Sequence, residues 1–217
     1  VSLHDWAAMD AVLQLIGHRE PDVIQNLGDR LDMAAFSTKF QVPLALRDTV
    51  APSIQTQYAL LRRPREMCPG AEMDCQGGNH DNRAERSHIG TEWDGLTSAE
   101  GTAPALSFAS LLHLDNLDIT WRNYGEHRWL WDKILIEHGS KVKSKGGQTV
   151  AAVAQEAESS TVFGHIHRVE QASRTVHTPF GIRTRTVMSP GTLARNDGSV
   201  PGVTKRPDWQ HGVGIGH

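Results

Sequence analysis

Two cysteines in 217 residues, Cys68 and Cys75, are too few for a disulfide framework. They point to a reducing compartment, and a cytoplasmic location is expected. No apolar run approaches the roughly 18 residues that cross a bilayer. The best stretch, around Trp129–Ile136, is broken by Asp132 and Lys133, so no membrane partner is expected. Charge of either sign is not in excess: 22 Lys and Arg stand against 25 Asp and Glu, a net charge of −3. That argues against a generally basic nucleic-acid surface while leaving room for a local basic groove. Internal repeats and low-complexity tracts are also missing.

What is present is enough to fold. Hydrophobic residues make up 38% and charged residues 22%, a balance that supports a packed core rather than wholesale disorder. The length suits one domain spanning residues 1–217. Twelve histidines are a surplus, and surplus imidazole points to metal or proton chemistry where it falls in patterns. The chain starts at Val1 and not at methionine, so a preceding segment would be invisible in this sequence.

Strands and helices alternate along the first 165 residues, which predicts an α/β fold. Asp5 is placed to cap a helix from Trp6 to about His18, with Trp6, Met9, Val12, Leu13 and Ile16 at helical spacing. Asp22–Leu27 reads as a strand, although Gln25 and Asn26 are odd for a deep one. Residues 33–50 read as irregular. A second helix is predicted over Ser53–Leu61, ended by the basic, proline-broken turn Arg62-Arg63-Pro64-Arg65. Ala71–Gln76 reads as a strand, 84–104 as a surface loop and Ala105–Leu114 as a short helix. Leu117–Trp121 and Trp129–Ile136 read as strands around the turn 123–126, with Trp121, Trp129 and Trp131 expected in the core. Gln148–Glu158 follows as a helix, Thr161–Phe163 as a strand, and 169–190 as β-rich chain with a turn at 179–181.

Strand ends carry the chemistry. Three predicted strands run into Gly28-Asp29, His138-Gly139 and Gly164-His165-Ile166-His167, and a fourth into Gly78-Asn79-His80-Asp81. In α/β sheets functional groups gather beyond the carboxyl ends of strands, so these loops are candidates to converge. Carboxylate, amide oxygen and neutral imidazole make a mixed O/N donor set that suits Mn, Fe, Zn, Ni or Co better than calcium. A His-x-His pair can serve two ions about 3.5–4 Å apart, and one carboxylate can bridge them.

These motifs, in this order, resemble the calcineurin-like metallophosphoesterases, most nearly their bacterial and phage-type branch. Gly28-Asp29-Arg30-Leu31-Asp32, Gly78-Asn79-His80-Asp81, His138-Gly139 and Gly164-His165-Ile166-His167 carry the likeness, with Asp81-Asn82-Arg83 and Ser189-Pro190-Gly191 as finer matches. The resemblance implies a four-layer α/β/β/α sandwich of two mixed sheets flanked by helices. It implies two divalent ions bridged by Asp29, with Asn79, His138 and His165 completing one site and His167 belonging to the other. It further implies that His80 acts on the leaving group, assisted catalytically by Asn79 and Asp29. Asp32 and Asp81 would orient ligands or pair with His80, and Arg83 would contact substrate phosphate. The implied reaction is hydrolysis of a phosphomonoester or phosphodiester by metal-activated water.

One motif of that family is missing. Its first strand ends in Asp-x-His, which binds the same ion as His167; here Ser2-Leu3-His4 has serine in place of the aspartate, and His4-Asp5 better matches the pair that follows the motif. The missing strand is therefore expected just before Val1, in a domain truncated there, and Trp209–Val213 also reads as a strand cut short. Taken as it stands, the chain leaves one ion only Asp29 and His167. Two alternatives follow. One is a non-catalytic binding module with the same fold. The other is a nuclease for DNA or RNA, using the basic stretches Arg62–Arg65 and Lys141–Lys145. The oligomeric state is left open.

Overall fold

The computed structural model describes residues 3–37, 50–88, 91, 95–97, 106–200 and 207–216. The fold is α/β, with two separate sheets and several helices. The chain divides into two compact units, Val1–Leu3 with Asp10–Tyr124 and His4–Met9 with Gly125–His217. Among the described residues no helix is long and apolar enough to cross a membrane.

Helix α1 (Trp6–Arg19) begins where the sequence places it. The Ala8 N–H donates to Asp5 Oδ1 at 3.0 Å, satisfying one of the orphan donors of the first turn. It ends where Glu20 turns into the left-handed region (φ 43°) ahead of Pro21.

In the first unit, β1 (Val23–Asn26), β2 (Glu72–Gln76) and β3 (Ile119–Arg122) form a sheet in that order, parallel throughout. The expected mixture of strand directions therefore does not appear among its described strands. The middle strand buries Met73, Asp74, Cys75 and Gln76, as a parallel strand covered on both faces must. Its one buried carboxylate, Asp74, is met by Arg122 Nε at 2.8 Å and by Gln25 Nε2 at 3.0 Å. Gln25 is thus in β1 to serve a buried charge, which explains a polar residue in that strand. The core gathers Leu31, Leu61, Met73, Phe108, Leu112, Leu114 and Ile119, with Trp121 stacked on Phe108 at 4.3 Å.

Helix α2 (Val50–Met67) is longer than the sequence predicts and runs through Pro64. The ring costs one backbone bond, yet the Cys68 N–H still reaches the Pro64 carbonyl at 2.9 Å, so the last turn closes. The basic segment is therefore helical and not a turn. Arg65 spends its guanidinium on the carbonyls of Leu117, Pro69, Ala71 and Asp118, and Arg62 pairs with Glu66 at 2.6 Å. Part of the expected loop at 84–104 is helix α3 (Asn82–His88). Residues 89–90, 92–94 and 98–104 of that loop lie outside the described residues. The helix expected over 105–114 contracts to α4 (Phe108–Leu111), capped by Ser107 Oγ accepting the Ser110 N–H.

In the second unit, the five-stranded mixed sheet has the order β4 (His127–Leu130), β5 (Ile134–Glu137), β6 (Ser160–Phe163), β8 (Gly181–Pro190), β7 (Val169–Thr178). The expected single strand at 129–136 is a hairpin, β4 against β5. Trp131 and Asp132 at its turn both have positive φ, at 53° and 54°. That turn carries Trp131 to the surface, and Trp129 is exposed on β4, so neither is a core residue. Strands β5 and β6 are parallel and joined through helix α5 (Gln148–Glu156). Val150, Ala154, Phe163, Ile166 and Val187 make the core of this unit. The ending near 209–213 contributes one bridge, Thr192 to His211, rather than a strand.

Two outcomes follow. Phe163 is 1% exposed, so Phe163→Ala should lower unfolding free energy by about 3–5 kcal/mol in a denaturant titration. Burial pushes the Cys75 thiol up to about 11, outweighing the attraction of Arg30. Cys75 should therefore resist thiol alkylation at pH 8 in the native protein and react once denaturant is added.

Candidate metal and phosphate site

Parallel neighbours end on the same edge of their sheet, and in each unit that edge gathers the candidate residues. In the first unit the loops after β1 and β2 meet. The His80 N–H donates to Asp29 Oδ1 at 2.9 Å, which fixes the carboxylate beside the turn Gly78–Asp81. Gly78 makes the approach feasible, because a Cβ there would overlap the Asp29 carboxylate and backbone. Asn79 lies half-buried in the same turn.

Asp81 is the clamp. It is 1% exposed, and its carboxylate accepts the N–H of Leu31 at 2.8 Å, of Gly78 at 2.9 Å and of Arg30 at 3.4 Å. A buried charge is tolerable when several donors surround it. Asp81 therefore ties the two loops through their backbones, and the pair with His80 that the resemblance allowed for it is made by Asp32 instead. Asp32 Oδ1 lies 2.6 Å from His80 Nδ1. Arg83 donates through Nη1 to the Asp32 carbonyl at 2.6 Å and to Oδ1 at 3.1 Å.

In the second unit, β5 delivers His138 and β6 delivers His165. Their ring nitrogens, His138 Nε2 and His165 Nδ1, stand 3.3 Å apart, with the rings edge to face. His138 is buried and His165 half-buried. Their 3.3 Å separation is within reach of a long N–H···N hydrogen bond between the two rings. Two nitrogens each about 2.05 Å from one tetrahedral ion would stand about 3.3 Å apart. The imidazole pair thus has the spacing of two ligands on one cation. Gly139, at φ 85°, lets the chain turn directly after His138, and a Cβ there would press on the Phe163 ring at 2.9 Å.

His167 takes a different neighbour. Its ring packs edge-on against Trp209 at 4.4 Å, and the Gln210 N–H donates to its carbonyl at 3.1 Å. Nothing in the sequence marks Trp209 as a partner of the His-x-His motif; only the folded tail brings it there. Behind His167, the buried Arg168 pairs with Glu170 at 2.7 Å and donates to the Lys143 carbonyl at 3.0 Å. That bond ties down the basic loop 141–145, in which Lys141 is paired with Glu156.

Asp29, His165 and His167 all sit in the left-handed backbone region, at φ 54°, 64° and 59°. Non-glycine residues held there carry strain, which is commonest where the direction of a side chain matters more than local stability. No protein-family model and no curated protein matches the chain.

The clamp can be tested apart from any activity. Asp81→Ala strands three backbone donors and should cost on the order of 3 kcal/mol or more in a denaturant titration. Hydrogen exchange should quicken at Leu31 and Gly78 while β5 and β6 stay protected.

Proposed function

We propose that this protein is a metal-dependent phosphoesterase, hydrolysing a phosphomonoester or phosphodiester within a calcineurin-like, four-layer α/β/β/α domain. The observation that carries the reading is the imidazole pair of His138 and His165 at the ends of two parallel strands, with nitrogens at cation-ligand spacing. The donor chemistry fits the divalent ions expected from the sequence: neutral imidazole, one carboxylate and one amide oxygen. In this reading His138 and His165 hold one ion, and His167 belongs to a second, less fully liganded one; the part of Asp29 and Asn79 as ligands rests on the resemblance alone. Bound divalent ions supply Lewis-acid polarisation of the phosphoryl group and make water a competent nucleophile near neutral pH.

The chain's own residues do the rest. Asp32 accepts from Nδ1 of His80 and so holds the ring with Nε2 as the working nitrogen. His80 passes a proton from Nε2 to the oxygen that leaves, which takes the electron pair of the breaking phosphorus–oxygen bond. The Asn79 amide offers an N–H for charge building on the phosphoryl oxygens. A cytoplasmic setting accords with the two buried thiols.

The test is metal content together with cleavage of bis(4-nitrophenyl) phosphate. His165→Ala and Asp29→Ala should abolish metal-dependent cleavage. His80→Ala should keep its metal and lose roughly 10²–10⁴-fold in rate. Wild-type turnover in the His165 variant would refute the assignment.

A further inference from the structure

Helix α5 covers only part of the face it packs on in the second sheet. Register sets the residues of that face: Trp129 lies beside Leu135 and Thr161, and His127 beside Glu137 and Phe163. The helix seats Val150 and Ala154 against Phe163 and Val187, which closes the β8 side. The β4 side stays open. A cavity of about 360 Å³ lies there, between the end of the helix and Trp129. That volume falls within the lower part of the range for small-molecule sites. None of the residues assigned to the metal or to the leaving oxygen lines it, so the cavity stands apart from the phosphoesterase reading.

Its floor is apolar, built from Leu135, Phe163, Val153 and Ala157. Trp129 forms one wall and is still 48% exposed, so an occupant would bury apolar area there. The charge at the rim is unbalanced. Glu137, Glu156 and Glu158 face one ammonium, Lys141, which is paired with Glu156. Glu137 and Glu158 have no hydrogen-bond or ion-pair partner among the described residues. His127, the remaining titratable group of the lining, could not offset both carboxylates even when protonated. Arg174 and Arg185 donate to the carbonyls of Gln155 and Ala157 at the helix end and do not line the cavity.

An aromatic wall, an apolar floor and two unspent negative charges select among ligands. An anion is repelled. A neutral apolar molecule strips the carboxylates of water and gives nothing back. A primary ammonium brings three N–H groups that need acceptors, over a floor that is apolar. A quaternary ammonium has no N–H to satisfy, and both carboxylate charge and an indole attract it. We propose that this cavity binds a small quaternary ammonium ion, with Trp129 against its methyl groups and Glu137 and Glu158 supplying the counter-charge.

The test titrates the full chain with choline and with 3,3-dimethylbutan-1-ol, its uncharged carbon isostere, by calorimetry. Choline should bind saturably, and at least about tenfold more tightly than the alcohol. Trp129→Leu, a change at a half-exposed position on an edge strand, should keep the circular dichroism and weaken choline roughly five- to thirtyfold. The Glu137→Gln/Glu158→Gln double variant reads the same site without touching the indole, and should erase the preference for choline over the alcohol. In the ¹H–¹⁵N spectrum the Trp129 indole N–H, identified by its loss in Trp129→Leu, should move as choline is added. No saturable binding of choline, equal affinity for the alcohol, or wild-type affinity in either variant would overturn the proposal.

Discussion

Strands that run side by side in the same direction must end on the same edge, and everything proposed for this chain depends on that constraint. In the first unit it puts the loop after β1 beside the loop after β2, so that Asp29 and His80 meet through a backbone N–H. In the second it puts His138 beside His165. Antiparallel pairing would have sent each partner to the opposite edge. Residues about 50 apart in one case and 27 apart in the other become neighbours because strand direction leaves them no alternative.

The edge alone does not aim a side chain. Aiming is done by buried polar contacts and by backbone held outside its preferred regions. Asp81 gathers three N–H groups from two loops, and Asp32 orients the His80 ring. Asp29, His165 and His167 accept left-handed backbone. The left-handed residues each carry a stability cost of order 1–3 kcal/mol, and the closely packed cores, Leu61 and Phe108 in one unit and Phe163 and Val187 in the other, are what offset it. The candidate residues thus lie where local stability has been conceded.

Much of this was legible in the residues. The Asp5 cap, the strands before each glycine-flanked motif and the α5 helix follow from local chemistry: a side-chain acceptor before an apolar helical face, or β-branched runs stopped by glycine. What was not legible depended on tertiary partners. The Arg62–Arg65 segment looks like a turn, because proline weakens helices; four carbonyls waiting for Arg65 keep it helical. Trp129 and Trp131 look like core on alternation alone, and a hairpin turn between β4 and β5 puts them outside. Asp81 and Asp32 are both plausible partners for His80 by spacing, and only the fold separates the clamp from the orienting carboxylate. Arg83 Nη2 stands 3.1 Å from His80 Nε2, a contact with no sequence signal at all.

The most direct test of the central claim looks at ligands, not turnover. X-ray absorption of the zinc- or manganese-loaded chain reports how many imidazoles surround the ion. The account predicts two or more histidine scatterers in the wild-type protein, and loss of those scatterers in the His138→Ala/His165→Ala double variant with its circular dichroism unchanged. A wild-type spectrum without imidazole scattering, or one that the double substitution leaves as it was, would contradict it.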